Sequence, residues 1–256
     1  MRRSNRFVIL VLASAAAIVA QPPGGRGGPP LPARQAAVID ITGYWVSQVN
    51  EDWRWRMVTP PKGDYASVPL NPEGKKAVDG WDPAKDEASG EACKAYGAAG
   101  LMRLPTRLHI TWQDDRTLKV ETDAGQQTRL FHFDGSKGTG GEPQWQGDSI
   151  ASWFKQPQQA GFGPPFNGPA PGKGGSLKVV TTHMRPGYLR KNGVPYSGNA
   201  VLTEYFDRVE LDGVSYLILT SELNDSRYLS DVFLTSEQFK MEPDGSKWHP
   251  GPCKAR

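Results

Sequence analysis

The segment Glu51–Met57, EDWRWRM, alternates aromatic and basic side chains at a spacing of two. On an extended strand this places Trp53 and Trp55 on one face and Arg54 and Arg56 on the other. Paired guanidinium groups match the fork of a carboxylate or sulfate, and flanking indoles suit an apolar or aromatic body. The competing reading makes the tryptophans core and pairs the arginines with Glu51, Asp52 or Asp64. A second cluster, Arg185–Ser197 (RPGYLRKNGVPYS), carries Tyr188, Arg190, Lys191 and Tyr196 among Pro186, Gly187, Gly193 and Pro195. Rigid loops bearing tyrosine and arginine suit the mouth of a barrel, where ligands enter. A surface hairpin with capping aromatics fits the same residues.

Charged residues inside strand-like segments form a third group: Glu121, Arg129, Glu204 and Arg208, with His109, His132 and His183. Alternation puts Glu204 on the face of Leu202 and Phe206, inside the fold. There it serves either as a general acid or base or as the buried partner of Arg129. Glu204, Glu51 and His109 are the candidate catalytic residues. Trp53, Arg54, Trp55, Arg56, Arg129, Tyr188, Arg190 and Tyr196 are the candidate ligand contacts. Three histidines on three strands lack the close spacing of a metal site such as HxH or HExxH, so neither a metal nor another cofactor is expected. The chain also has no GxSxG elbow, Walker loop, strand-linked GxGxxG or CxxC pair.

These residues need a scaffold, and the sequence reads as strands. RLHITWQ, TLKVETD and QQTRLFHF between Arg107 and Phe133 alternate apolar and polar positions. Turn-prone Asp114-Asp115 and Asp123-Ala124-Gly125 divide them into a meander. Gly43–Val49, Trp53–Val58, Asp148–Phe154, Ser176–Met184, Ala200–Glu210, Val214–Glu222 and Asp231–Ser236 bring the predicted total to about ten strands, and Asp212-Gly213 makes a hairpin turn. Asn71-Pro72 and Asp82-Pro83 each offer a capping residue followed by proline, predicting short helices over Pro72–Val78 and Pro83–Tyr96. The expected fold is mainly β: an antiparallel β-barrel, lipocalin- or calycin-like, with a short helical insertion.

The amino terminus reads as an address. Arg2, Arg3 and Arg6 precede an uncharged apolar run, Phe7–Ala20, which is too short to span a bilayer comfortably, so residues 1–20 fit a signal peptide cleaved after Ala17 or Ala20. Its removal takes away three of the 30 basic residues and none of the 27 acidic ones, leaving a neutral mature protein. Neutrality argues against nucleic acid and anionic membranes as partners, and favours a small molecule. Residues 21–37, rich in Gly and Pro, read as a disordered linker before a single domain over 38–256, and Gln156–Gly175 reads as a flexible insertion. Periplasmic or secreted location admits a disulfide between Cys93 and Cys253.

EDWRWRM, DPAKDEASGEACKAYG (Asp82–Gly97), TDAGQQTRLFHF (Thr122–Phe133), GYLRKNGVPYS and the closing KWHP with Cys253 together resemble a family of exported bacterial proteins of uncharacterised activity. GDSIASW, LKVVTT and LTEYFDRV are similar to a broader set of secreted proteins with a lipocalin-like barrel. The resemblance implies one exported domain and transfers no catalytic role.

Overall fold

Period-two alternation becomes real strands in the Arg107–Phe133 meander and in the later segments from Asp148 onward. The computed structural model describes residues 31–136, 141–154 and 175–256. The expected signal segment, linker residues 21–30 and nearly all of the Gly/Pro-rich insertion lie outside them. Nine strands close a barrel: β1 (Gly43–Gln48), β2 (Arg107–Trp112), β3 (Thr117–Thr122), β4 (Thr128–His132), β5 (Asp148–Phe154), β6 (Ser176–Thr182), β9 (Val201–Leu211), β10 (Val214–Asn224) and β11 (Phe233–Glu242). Their order is β1-β11-β10-β9-β6-β5-β4-β3-β2. β7 (Gly187–Arg190) and β8 (Val194–Tyr196) form a separate hairpin. The mainly β barrel with short helices is therefore as the sequence predicts.

One seam departs from antiparallel order. β4 and β5 run parallel, joined only through Phe131–Ser149 and His132–Ile150. Both strands therefore start at the same end of the barrel. The β9–β10 hairpin is tight. Asp212 and Gly213 both take positive φ, 52° and 73°, which matches the twist of β9 and β10.

The inward positions are large and apolar: Trp45, Leu108, Ile110, Phe131, Phe206 and Phe239 are fully buried and pack together. They fill the barrel, as side chains do in small barrels. At one end Trp112, Phe133 and Trp153 form a plug with ring centroids 5.1–6.4 Å apart. The Trp153 indole donates to the Ala33 carbonyl at 2.8 Å, and Arg34 N–H to that of Asp115 at 3.1 Å. Residues 33–36 thus form a hydrogen-bonded turn against this plug.

The opposite end carries a cap built from the chain between β1 and β2, the β7–β8 hairpin and the carboxyl-terminal tail. α2 (Pro72–Asp79) and α3 (Pro83–Ala88) start where proline and their caps predict. Asn71 Oδ1 accepts from Gly74 N at 2.9 Å, and Asp82 Oδ1 from Ala84 N at 3.0 Å. The second helix is shorter than expected, because Gly90 takes φ of 75° and turns the chain. A 3-10 turn, Lys94–Tyr96, and α4 (Ala98–Leu101) follow. The Cys93–Cys253 disulfide joins the tail to this cap. The predicted strand over Trp53–Val58 does not form. Trp53–Arg56 is a one-turn helix, α1, entered through Asp52 at φ of 53°. Four alternating residues are too few to impose a strand once Asp52 turns the chain and the Arg56 side chain is drawn inward.

Candidate functional site

Where the cap meets the barrel, three arginines converge from different segments. Arg56 closes α1, Arg103 follows α4, and Arg190 ends β7. Arg103 is held on two sides: Nη1 donates to Glu237 Oε1 on β11 at 3.1 Å and Nη2 to Asp52 Oδ2 at 2.7 Å. Its guanidinium also lies over the Phe233 ring at 5.4 Å. Arg56 donates from Nε to the Arg103 carbonyl at 2.8 Å and from Nη1 to the Glu51 carbonyl at 3.3 Å. Arg190 is 3% exposed and lies over the Trp55 ring, 4.8 Å from its centroid.

The donors outnumber their acceptors. Arg56 Nη2, Arg103 Nε and all three nitrogens of Arg190 are buried without a protein partner among the described residues. Burial lowers the Arg56 guanidinium from its ordinary range. It pushes Arg190 down to about 10, with repulsion from Arg103 adding to the effect and Asp52 and Asp64 opposing it. Burial also raises the Glu237 carboxyl, and the attraction of Arg103 and Arg56 offsets this only in part.

A cleft of about 350 Å³ opens beside this cluster, between α1 and the start of β11. Arg56, Arg103, Glu51 and Asp52 line it with Phe233 and Leu234. The surrounding parts are fixed. Trp55 Nε1 donates to Asp64 Oδ1 at 3.0 Å, and Asn192 Nδ2 holds the carbonyls of Pro61 and Asp64 at 2.9 and 2.8 Å. Gly193, at φ of 84°, lies so close to the Trp81 ring that a Cβ there would be 2.2 Å from it. The β7–β8 turn therefore needs glycine, and that turn sets the position of Arg190.

Of the residues singled out from sequence, Trp55, Arg56 and Arg190 come together here, and Glu51 lines the cleft. Trp53 is instead 64% exposed, and Arg54 is an exposed partner of Asp64 at 3.6 Å. Arg129 lies in the barrel interior, where Nη1 and Nη2 grip Glu204 Oε1 and Oε2 at 2.9 and 2.5 Å. Thr181 takes a further bond from Arg129 at 3.2 Å. Glu204 is thus the buried ion-pair partner that strand alternation allowed for. His109 is on the outer wall, stacked on Tyr44 at 4.1 Å and 3.3 Å from Glu121, so the three catalytic candidates share no site.

Neither cap tyrosine lines the cleft. Tyr188 donates to Asp86 Oδ2 at 2.8 Å, while Tyr196 is fully buried against Gly97 and Gly187. Burial raises both phenols. Among the described residues no group of three or more His, Cys, Asp or Glu side chains is arranged to hold a metal. Sequence reasoning missed Arg103 and Glu237, and offered Asp52 only as an alternative partner of Arg54 or Arg56. For Arg103 the available signal was a single charge inside the apolar stretch Gly100–Leu104.

Neither a family model nor a curated protein nor a solved structure matches this chain.

Proposed function

We propose that this is an exported barrel protein that binds a small, partly apolar anion at the cleft between α1 and β11. The observation that supports this is that Arg56 and Arg103, which line the cleft, each keep a buried guanidinium nitrogen without a protein partner among the described residues, with Arg190 unpaired beside them. Buried donors are nearly always paired in native proteins, and an unpaired one costs about 1–3 kcal/mol. An oxyanion supplies the missing acceptors, and arginine is the side chain best shaped for it. Phe233 and Leu234 offer the apolar contact. The disulfide fits an oxidising compartment, in line with the signal-like amino terminus.

The barrel interior is occupied by its own side chains, so the reading differs from a ligand held inside a hollow barrel. The test is a panel of carboxylates, sulfates and phosphates, followed by thermal unfolding and by tryptophan emission, since Trp55 covers Arg190. At a hundredfold excess over Kd, a true ligand stabilises by about 2.7 kcal/mol. The same ligand should lose its effect on Arg56→Gln. A panel that moves neither signal overturns the reading.

A further inference from the structure

The charges lining the cleft are not all of one sign, and the balance between them bears on what the site accepts. Asp52 is already committed to Arg103 at 2.7 Å. Glu51 is exposed, and its side-chain carboxylate joins none of the ion pairs among the described residues; only its backbone carbonyl is used, by Arg56 Nη1 at 3.3 Å. Among the described residues the arginines lining the cleft keep two unpaired donors, Arg56 Nη2 and Arg103 Nε, and beside Arg56 stands the unpaired carboxylate of Glu51, whose backbone carbonyl Arg56 holds. A plain anion that reaches Arg56 meets repulsion from Glu51. A plain cation that reaches Glu51 meets repulsion from Arg56 and Arg103. A molecule bearing both charges a few ångströms apart satisfies both poles.

The walls complete the specification. Phe233 and Leu234 flank the charged residues, and Leu234 is 62% exposed although it borders the cleft. A volume of about 350 Å³ is small for a ligand site. Resting on the anion-binding reading above, we infer that the ligand is a small zwitterion with an apolar side chain, a free α-amino acid or a short apolar peptide. Its carboxylate goes to Arg56, its ammonium to Glu51, and its side chain to Phe233 and Leu234. Glu51 becomes the residue that selects for the ammonium group.

Calorimetric titration of the disulfide-bonded protein tests this with five probes: leucine, Leu-Leu, 4-methylpentanoate and N-acetyl-leucine, which lack the ammonium, and leucinamide, which lacks the carboxylate. The inference expects leucine or Leu-Leu to bind at least about tenfold tighter than every probe missing one charge. Tighter binding of leucine identifies a free amino acid, and tighter binding of Leu-Leu a peptide. Glu51→Gln, an exposed substitution that should leave the melting temperature unchanged, is expected to erase the advantage of the ammonium while 4-methylpentanoate binds as well or better. If 4-methylpentanoate matches leucine on the unaltered protein, the zwitterion inference falls and the anion site stands. If only leucinamide binds, or no probe binds and the broader anion panel is also silent, the anion site falls with it.

Discussion

Replacing Arg190 by methionine should make the protein more stable while weakening its affinity for anions. The guanidinium is 3% exposed, has no protein acceptor for any of its nitrogens among the described residues, and is pushed from 12.5 down to about 10 mainly by burial. At about 1.4 kcal/mol per pH unit, that displacement corresponds to a penalty of about 3 kcal/mol on the charged form. Residual screening near the cleft reduces it, and loss of the contact with Trp55 returns about 1 kcal/mol of what is gained. Methionine keeps the packing of the aliphatic stem. The expected net gain is about 1–2 kcal/mol at neutral pH. A base with a depressed folded pKa bears its full penalty below about 10, and recovers stability only as pH rises from there toward 12.5. The difference between variant and unaltered protein should therefore be flat from pH 6 to 9. Urea unfolding in a buffer of low oxyanion content measures it. A loss of 2 kcal/mol or more for Arg190→Met would mean that the guanidinium has strong partners in the free protein, and would refute the reasoning behind the site.

Three further outcomes follow from the same geometry. Glu204→Gln leaves Arg129 charged in the barrel interior and should cost about 3–5 kcal/mol, whereas Arg129→Met combined with Glu204→Leu should recover most of that loss in denaturant titration. Cys93→Ser with Cys253→Ser should cost about 2–5 kcal/mol and raise hydrogen exchange over residues 251–256, which Gly251 N–H to Asp123 and Ala255 N–H to Glu87 also hold to the cap. Glu237 has a raised folded pKa, so its contribution to stability is full below its unfolded value and declines as pH rises through the folded one. The stability of Glu237→Gln relative to the unaltered protein should therefore increase from pH 4 to pH 8, and a decrease would contradict the dominance of burial over the attraction of Arg103.

The strands were legible where alternation ran long and turn chemistry closed it. Asp114-Asp115 and Asp212-Gly213 mark hairpins correctly, and Asn71 and Asp82 mark helix starts because each combines a cap with proline. The same alternation put Glu204 on the inner face with Leu202 and Phe206. Trp53–Arg56 misled because four residues fit either a strand or a single helical turn, and the deciding contact, Arg56 to the Arg103 carbonyl, is 47 residues away. The parallel seam at β4–β5 was illegible for a related reason: the chain between them contains Gly135, Gly141 and Gly147 and has no period to reveal its path. Arg103 and Glu237 were missed because neither sits in a motif, and their pairing is purely tertiary.

The location of the candidate site follows from how buried charge is distributed. In the barrel interior, Arg129 is neutralised by Glu204 through two hydrogen bonds. At the rim, Arg103 takes Glu237 from β11 and Asp52 from the cap. Further out, among the described residues, Arg56 has only backbone carbonyls as acceptors, and Arg190 has only the face of Trp55. Arginine–carboxylate pairing thus falls along the path from interior to cap while arginines continue, so guanidinium nitrogens without acceptors among the described residues collect beside the cleft. A structural network has no need of that gradient, because one more carboxylate on α1 would close it more cheaply than leaving guanidinium nitrogens bare. Installing one tests the point. Trp55→Glu should supply Arg190 with an acceptor and reduce anion binding at the cleft, even though the cleft residues Arg56 and Arg103 remain in place. Unchanged anion affinity in that variant, with the fold intact by circular dichroism, would show that Arg190 plays no part in recognition and would confine the site to Arg56 and Arg103.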